Sequence, residues 1–241
     1  MDISINKLIA MGCSWTEGCG DDYSKQGWPA RLVQKINRNS ENLCELNNLG
    51  HLGDSNWIQY AQLLNYLDQT NCLVIWGLTA FSRDIFYINN KWKTSYAHEK
   101  KWKNYYIEYD DCAAQLKHLY LMHSFQQLVE QKNSKHFIFL SFDDISRLNR
   151  TYNLGKFNHV YDLIDWSLVL TEYSMCDYIG NNLGPKISED AQEYFMALTK
   201  KIGHMPIKKH KNFASDGHPN SNGYDLWADH LYDTILPKIF N

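Results

Sequence analysis

The sequence lacks the features that carry a chain to a membrane or to a nucleic acid. No run of apolar residues approaches the length of a membrane span. Residues 1–7 do not combine a basic start with an apolar stretch, so they do not form a secretory signal. Positive charge is not in excess, because 24 Lys and Arg stand against 27 Asp and Glu, for a net charge of -3. We therefore expect a cytoplasmic protein with no membrane span and no nucleic-acid partner.

Paired cysteines are absent as well. The six cysteines are scattered, with no Cys-x-x-Cys pair and no Cys/His cluster at zinc-like spacing (Cys13, Cys19, Cys44, Cys72, Cys112 and Cys176). Two of them, Cys44 and Cys72, lie in apolar, strand-like runs, where buried free thiols are common. We expect all six thiols to be reduced, and we expect neither a metal nor another cofactor.

What the sequence does contain is an alternation of short apolar runs with amphipathic segments. Four runs predict strands, at residues 7–12, 43–49, 72–77 and 136–142. They are continuous rather than alternating, which is typical of parallel strands covered by helices on both faces. We expect one domain over residues 1–241, a three-layer α/β/α sandwich with a central parallel sheet.

Helices are predicted between the strands. One begins near Pro29, which is favourable in a first turn, and one follows Ser55, a good N-cap residue. A long helix is predicted from about residue 111 to 131, and the last helix follows Asn220. This order of elements suits the sandwich.

Two regions fit the pattern poorly and are interpreted as insertions after strands three and four. Residues 83–110 are rich in Trp, Tyr and Lys, and residues 143–190 are mostly polar with a helical middle at 160–170. The first insertion, above all residues 91–106, is either a lid that stacks on a sugar or attracts an anion, or an insertion that packs its own aromatic rings.

Reactive or small residues follow the first three strands. Ser14 comes after strand one, Gly50 and Gly53 after strand two, and Thr79 after strand three. Ligands of open parallel sheets bind beyond the carboxyl ends of the strands, so these residues should meet at one edge. Residues 216–220, just before the last helix, supply an acid and a base.

These segments resemble the sequence blocks of the SGNH (GDSL-like) hydrolases. Gly-Cys-Ser-Trp-Thr at 12–16 resembles their opening block, and Asn-Leu-Gly-His-Leu-Gly-Asp-Ser at 48–55 resembles their second block. Asp-Gly-His-Pro-Asn at 216–220 is similar to the closing block. The resemblance spans nearly the whole chain and is weakest at 83–110 and 143–205.

The resemblance implies a flavodoxin-like SGNH fold and a serine esterase. Ser14 would be the nucleophile, His218 the base, and Asp216 the residue that orients the imidazole. The backbone N–H groups of Ser14 and Gly53 and the side chain of Thr79 would form the oxyanion hole. For Gly50 we prefer the interpretation of an ordinary turn glycine.

Three departures from the family pattern bear on the chemistry. Cys13 stands where the family has aspartate, a position outside the triad. Thr79 stands where the third block has its oxyanion asparagine, so the hole is either weaker or completed by Ser82 or Arg83. Asp216 precedes His218 by two residues rather than the common three, so a Ser–His dyad is an alternative to the triad.

The expected substrate is a carboxylic ester, with an O-acetyl or short acyl group on a small molecule or a carbohydrate. An aromatic content of 14% favours a sugar only slightly. Trp15, Asp54 and Arg83 are the candidates for substrate binding, and Arg83 could hold an anionic group or serve a structural ion pair. Two alternatives stay open: an O-acyltransferase, and a catalytically weak or inactive binding module on the same fold.

Overall fold

The computed structural model describes residues 5–20, 27–40, 42–67, 71–81, 83–95, 100–102, 105, 111–142, 157–181, 212–214 and 218–240. The strands are β1 (Lys7–Gly12), β2 (Glu45–Asn48), β3 (Cys72–Leu78), β4 (Ile85–Ile88), β5 (Lys91–Thr94) and β6 (Lys135–Leu140). The helices are α1 (Ser14–Glu17), α2 (Trp28–Asn39), α3 (Asn56–Leu63), α4 (Asp111–Gln131), α5 (Asn158–Tyr161), α6 (Met175–Asn181), α7 (Ser221–His230) and α8 (Leu236–Phe240). A π-helical turn, Leu231–Ile235, joins α7 to α8.

Four parallel strands form the central sheet, in the order β2-β1-β3-β6. The register pairs Gly12 with Gly77 and Leu78 with Leu140, so β1, β3 and β6 end at the same edge. Every residue of β3 is buried. This is the burial that a continuous apolar run predicts for a strand with helices on both faces.

Helices cover the sheet on two sides. Successive side chains of a strand point to opposite faces, so Leu8 joins the core that contains Trp227 of α7, while Ile9 joins the core that contains Phe125 of α4. The first core also contains α2 residues and the second α3 residues. The predicted three-layer α/β/α architecture with a central parallel sheet is confirmed.

The predicted helix starts agree with the structure. Pro29 lies in the first turn of α2, and α4 has the predicted bounds. Ser55 caps α3, because its side chain accepts a hydrogen bond from the Ile58 N–H. Asn220 caps α7 in the same way through the Gly223 N–H.

The ends of two predicted strands are corrected. β2 starts two residues later than predicted, because Leu43 is exposed and the Cys44 N–H donates to Asn37 Oδ1 at 2.7 Å instead of to a strand. β6 runs over Lys135–Leu140 rather than 136–142. The Ser141 N–H still donates to the Leu78 carbonyl at 2.8 Å, and the chain then leaves the sheet.

The insertion after β3 contains an element that the sequence analysis did not predict. β4 and β5 form an antiparallel hairpin. Its two turn residues, Asn89 and Asn90, have φ values of 53° and 59°. Asparagine tolerates this left-handed region, and paired positive φ angles match the twist of a two-residue hairpin turn.

The helical middle predicted at 160–170 in the second insertion is wrong. The structure has only the short helix α5 and a 3-10 turn, Trp166–Leu168, which the Asp165 side chain caps through the Ser167 N–H. Val169 then forms a parallel bridge with Ile138 of β6, so the chain is extended where a helix was expected. Residues 143–156 and 182–190 of this insertion lie outside the described residues.

Five cysteines are buried (Cys13, Cys19, Cys44, Cys72 and Cys176). The side chain of Cys112 lies outside the described residues. Within the described ranges, no group of acidic, His and Cys side chains is arranged to hold a metal ion. None of the helices in these ranges is long and apolar enough to cross a membrane.

Candidate active site

Ser14 lies at a tight turn between β1 and α1. β1 ends at Gly12, Cys13 occupies the N-cap position of α1, and Ser14 is the first residue of that helix. A Cβ atom at Gly12 would lie 2.0 Å from Thr16 Oγ1 and 3.0 Å from the Gly77 carbonyl. Only glycine therefore allows the chain to turn this closely against β3, and the turn lifts Ser14 to the carboxyl edge of the sheet.

His218 is held in a second turn, at the entry to α7. Two backbone hydrogen bonds pair this segment with residues 212–214. The Ala214 N–H donates to the His218 carbonyl at 2.8 Å, and the Asn220 N–H donates to the Asn212 carbonyl at 3.0 Å. Phe213 and Pro219 form an antiparallel bridge between them. The imidazole is thus carried by a backbone segment that is paired with residues 212–214 and continues into a capped helix.

The two turns meet. His218 Nε2 lies 2.8 Å from Ser14 Oγ, although 204 residues separate them in the chain. Ser14 is 7% exposed. This is the spatial relationship that the order of the motifs predicted. Asp216, the predicted orienting acid, lies outside the described residues.

The loop after β2 packs directly on the turn that carries Ser14. The His51 N–H donates to the Gly12 carbonyl at 3.1 Å, and Asn48 Nδ2 donates to the Thr16 carbonyl at 2.9 Å. A Cβ atom at Gly50 would lie 2.5 Å from the Glu17 nitrogen, so Gly50 is a close-approach glycine rather than an ordinary turn glycine. Gly53, further along the loop, has φ 82°, which favours glycine.

Thr79 follows the last residue of β3 and is 2% exposed. Its N–H donates to Asn56 Oδ1 at 2.8 Å, and its carbonyl accepts from Asn56 Nδ2 at 3.1 Å. Its hydroxyl oxygen is buried and has no hydrogen-bond partner among the described residues.

Asn56 is a site residue that the sequence analysis did not identify. It is fully buried, and so is Gln59, three positions later on the same helix. The sequence did contain a signal for this residue, because two amide side chains lie on the helix face that should be apolar.

The structure corrects the prediction that Trp15 binds substrate. Its side chain is only 3% exposed. It packs edge-on against Phe142, with ring centroids 5.0 Å apart, and lies 5.9 Å from the Phe213 ring. Trp15 therefore belongs to the core beneath the site, where it packs against the segment that leads to His218.

Asp54 and Arg83, the other substrate-binding candidates, lie next to each other. Arg83 Nη1 donates to the Asp54 carbonyl at 3.4 Å, and its guanidinium carbon lies 6.0 Å from the centre of the Phe142 ring. Asp54 Oδ1 lies 3.3 Å from His51 Nδ1. Burial raises the pKa of Asp54, and the contact with His51 works against that rise. Ser82, the alternative completion of the hole, lies outside the described residues.

The β4–β5 hairpin is attached to this site. Thr94 Oγ1 accepts a hydrogen bond from the Ser55 N–H at 3.2 Å. At the hairpin base, Asp84 Oδ2 accepts from Tyr105 Oη at 2.6 Å and from Lys117 Nζ at 3.2 Å. Burial acts to raise the pKa of Asp84, but these donors and the Ile85 N–H outweigh it and lower the pKa.

The outer face of the hairpin carries an aromatic pair. Tyr87 and Trp92 are paired across the two strands and are each 61% exposed. Their ring centroids lie 5.1 Å apart.

No protein-family model matches this chain. No curated protein matches it either. Solved structures do share its architecture. TesA covers 96% of this chain and 97% of its own length, with a TM-score of 0.51 and 15% identity. The psychrotrophic esterase EstA from Pseudoalteromonas sp. has the same coverages and identity, with a TM-score of 0.49. A member of the lipolytic protein G-D-S-L family from Veillonella parvula covers 95% and 98%, at 16% identity and a TM-score of 0.45. The likeness to TesA shows that the two chains share one fold.

Proposed function

We propose that this chain, whose sequence blocks resemble those of the SGNH hydrolases, hydrolyses carboxylic esters through an acyl-enzyme on Ser14. The 2.8 Å distance between His218 Nε2 and Ser14 Oγ is the observation that supports this most directly. A serine hydroxyl is a poor nucleophile until a neighbouring base accepts its proton. An imidazole at this distance is within reach for that transfer.

In the acylation step, Ser14 Oγ forms a bond to the carbonyl carbon of the ester while His218 Nε2 takes the hydroxyl proton. The carbonyl oxygen carries the negative charge of the tetrahedral intermediate. When the intermediate collapses, the bond to the alcohol oxygen breaks, and that oxygen receives the proton from His218. Water then attacks the acyl-enzyme with His218 as its base, and the carboxylic acid leaves as Ser14 regains its proton.

We assign to Asp216 the role of orienting the imidazole. A carboxylate that accepts a hydrogen bond from Nδ1–H fixes the tautomer in which Nε2 is the base and stabilises the imidazolium. Its place in the sequence, two residues before His218, supports this assignment.

We further propose three donors for the oxyanion. Ser14 is the first residue of α1, where N–H groups have no acceptor within the helix. Gly53 offers the second N–H, from a loop bound to the Ser14 turn. The third donor is the Thr79 hydroxyl, because the Thr79 N–H is already bonded to Asn56. In known enzymes the loss of one such donor lowers kcat by about 10²–10³.

The proposed substrate carries a short acyl group on a carbohydrate. The low exposure of Ser14 favours a small acyl group over a bulky one. The exposed Tyr87–Trp92 pair lies on a hairpin bonded to Ser55, two residues after Gly53, and planar rings in such a position can stack on the apolar face of a sugar.

The test is covalent labelling by a fluorophosphonate together with hydrolysis of p-nitrophenyl acetate. Wild type should be labelled and active, and Ser14→Ala should be neither. Ser134→Ala is the matched control, because Ser134 has the same 7% exposure but lies before β6, at the opposite edge of the sheet. Folded wild type that takes up no label would refute the proposal and favour a binding module. Product release that requires an added alcohol acceptor would favour acyl transfer over hydrolysis.

A further inference from the structure

The side chain of Asn56 joins two segments to which we assign oxyanion donors. Asn56 is the first residue of α3, three residues after Gly53, and it holds the N–H and the carbonyl of Thr79 at 2.8 and 3.1 Å. One amide thus pairs with both backbone groups of one residue, as a neighbouring strand would.

The hydrogen bonds from Asn56 take the place of strand pairing at the point where the sheet ends. The ladder between β3 and β6 stops at Leu78, so strand pairing does not fix the orientation of Thr79. Asn56 itself is well fixed, because it is fully buried and follows Ser55, the N-cap of its helix. The position of Thr79 is therefore set from α3.

The same pairing leaves one polar group of Thr79 for chemistry. Its backbone N–H and carbonyl are both committed to Asn56, whereas its hydroxyl has no partner among the described residues although it is buried. Burying a hydroxyl without a hydrogen bond is unfavourable. A hydroxyl kept in this state suits a donor that finds its acceptor only when charge develops on a bound substrate.

We propose that Asn56 is a positioning residue, which holds the Thr79 hydroxyl where the oxyanion forms. This inference rests on the proposed ester hydrolysis. It predicts that Asn56 acts on kcat through Thr79 and through no other group.

The test is a double-variant cycle with Asn56→Ala and Thr79→Val, read out as kcat and KM for p-nitrophenyl acetate. Thr79→Val removes the hydroxyl at constant shape and should lower kcat about 100-fold. Asn56→Ala should lower kcat roughly 30-fold with KM within about twofold, because a displaced donor loses most of its effect. The double variant should be no slower than Thr79→Val alone, since coupled residues do not add.

Gln59→Ala is the matched control. Gln59 is also fully buried on α3, and its Oε1 accepts a hydrogen bond from Trp76 Nε1 of β3 at 2.6 Å. This variant should lower the thermal unfolding midpoint about as much as Asn56→Ala and leave kcat within about twofold of wild type. If Asn56→Ala does not fold, Asn56→Asp takes its place in the cycle, because it keeps the acceptor for the Thr79 N–H and loses the donor to the carbonyl.

The outcomes separate this inference from the proposed function. An active wild type in which the two losses multiply, or in which Gln59→Ala slows kcat as much as Asn56→Ala, would overturn the role of Asn56 and leave ester hydrolysis standing. An inactive wild type would overturn both. Losses that do not multiply, with an active Gln59→Ala, support the positioning role.

Discussion

The backbone of Gly20 lies against the carbonyl of Pro219, so closely that a Cβ atom at Gly20 would be 2.6 Å from that oxygen. Gly20 follows the turn that carries Ser14, and Pro219 follows His218. Tyr224 Oη reinforces the contact by donating to the Cys19 carbonyl at 2.6 Å. The distance between Ser14 and His218 is therefore set by contact between two backbone segments, not only by the hydrogen bond that joins the side chains.

Gly20→Ala is expected to weaken both the fold and the activity. Gly20 has φ 151°, and the added methyl group meets backbone rather than a movable side chain. We expect a loss of about 1–3 kcal/mol in the free energy of unfolding, measured by urea denaturation. We also expect kcat for p-nitrophenyl acetate to fall about 10- to 100-fold, because the His218 segment must move.

Cys19→Ala is the matched control for Gly20→Ala. Cys19 is the buried neighbour of Gly20 and keeps its carbonyl for Tyr224 after the substitution. It should cost some stability through the small cavity and leave kcat near wild type. Full activity in Gly20→Ala would show that this backbone contact does not set the distance between Ser14 and His218.

Ser14→Ala and His218→Ala are expected to be equivalent. Each should lower kcat by about 10⁴-fold or more, and the double variant should be no slower than either single variant, because the proposed nucleophile and the proposed base act as one unit. Stopped assays with p-nitrophenyl acetate and a long incubation give the residual rates. Losses that multiply in the double variant would mean that the two residues act in separate steps.

The sequence predicted the parts of this structure that have a repeating physical signal. Residues 72–77 form a continuous apolar run, and the strand they predict is buried throughout. Ser14 and His218 could be paired because the segments around them resemble the opening and closing blocks of the SGNH hydrolases.

The parts that the sequence did not predict depend on side-chain direction. Strand β5 is only four residues long, and Lys91, Trp92 and Lys93 are all exposed, so no buried face distinguishes it as a strand. Trp15 could not be assigned to the core, because a residue in a one-turn helix has no face that periodicity defines. Asn56 resembles an ordinary solvated first-turn residue until the end of β3 is placed beside it.

Stability is expected to fall in mild acid, and His118 should account for part of the fall. Burial lowers the pKa of His118 to about 4, against the opposing effect of its hydrogen bond with the Ala114 carbonyl. An unfolded histidine has a pKa near 6.5, so below about pH 6.5 the unfolded chain binds more protons than the folded one. The contribution is fully present above that pH and is lost as the pH falls toward 4.

His118→Phe isolates this contribution. The His118 ring stacks on Phe81 with centroids 4.3 Å apart, and a phenyl ring can keep that stack without titrating. Between pH 6.5 and 4.5, wild type should lose about 2 kcal/mol more of unfolding free energy than His118→Phe, by urea denaturation at each pH. Burial also lowers the pKa values of His136 and His230 to about 4, so the variant keeps a reduced pH dependence. If unfolding free energy depends on pH in the same way in wild type and in His118→Phe, this assignment is contradicted. His159→Phe, at an exposed position, is the control and should follow wild type.

The aromatic pair on the hairpin leads to a prediction about substrate class. Tyr87 and Trp92 are exposed side by side on the β4–β5 hairpin. Hydrogen bonds of Asp84 and Thr94 fix the base of this hairpin. Rings held in this way lose little conformational entropy when a sugar stacks on them.

Tyr87→Ala combined with Trp92→Ala should therefore raise KM for an acetylated oligosaccharide about tenfold, which corresponds to about 1.4 kcal/mol of binding. KM and kcat for p-nitrophenyl acetate should stay near wild type, because that ester has no sugar to reach the hairpin. Tyr120→Ala, at an exposed tyrosine of α4, is the matched control and should leave KM and kcat for both substrates unchanged. If the hairpin variant lowers the hydrolysis rates of both esters equally, the role of the hairpin is to support the fold of the site. If it slows neither, the alcohol part of the substrate binds elsewhere, and the carbohydrate assignment fails while the chemistry at Ser14 is untouched.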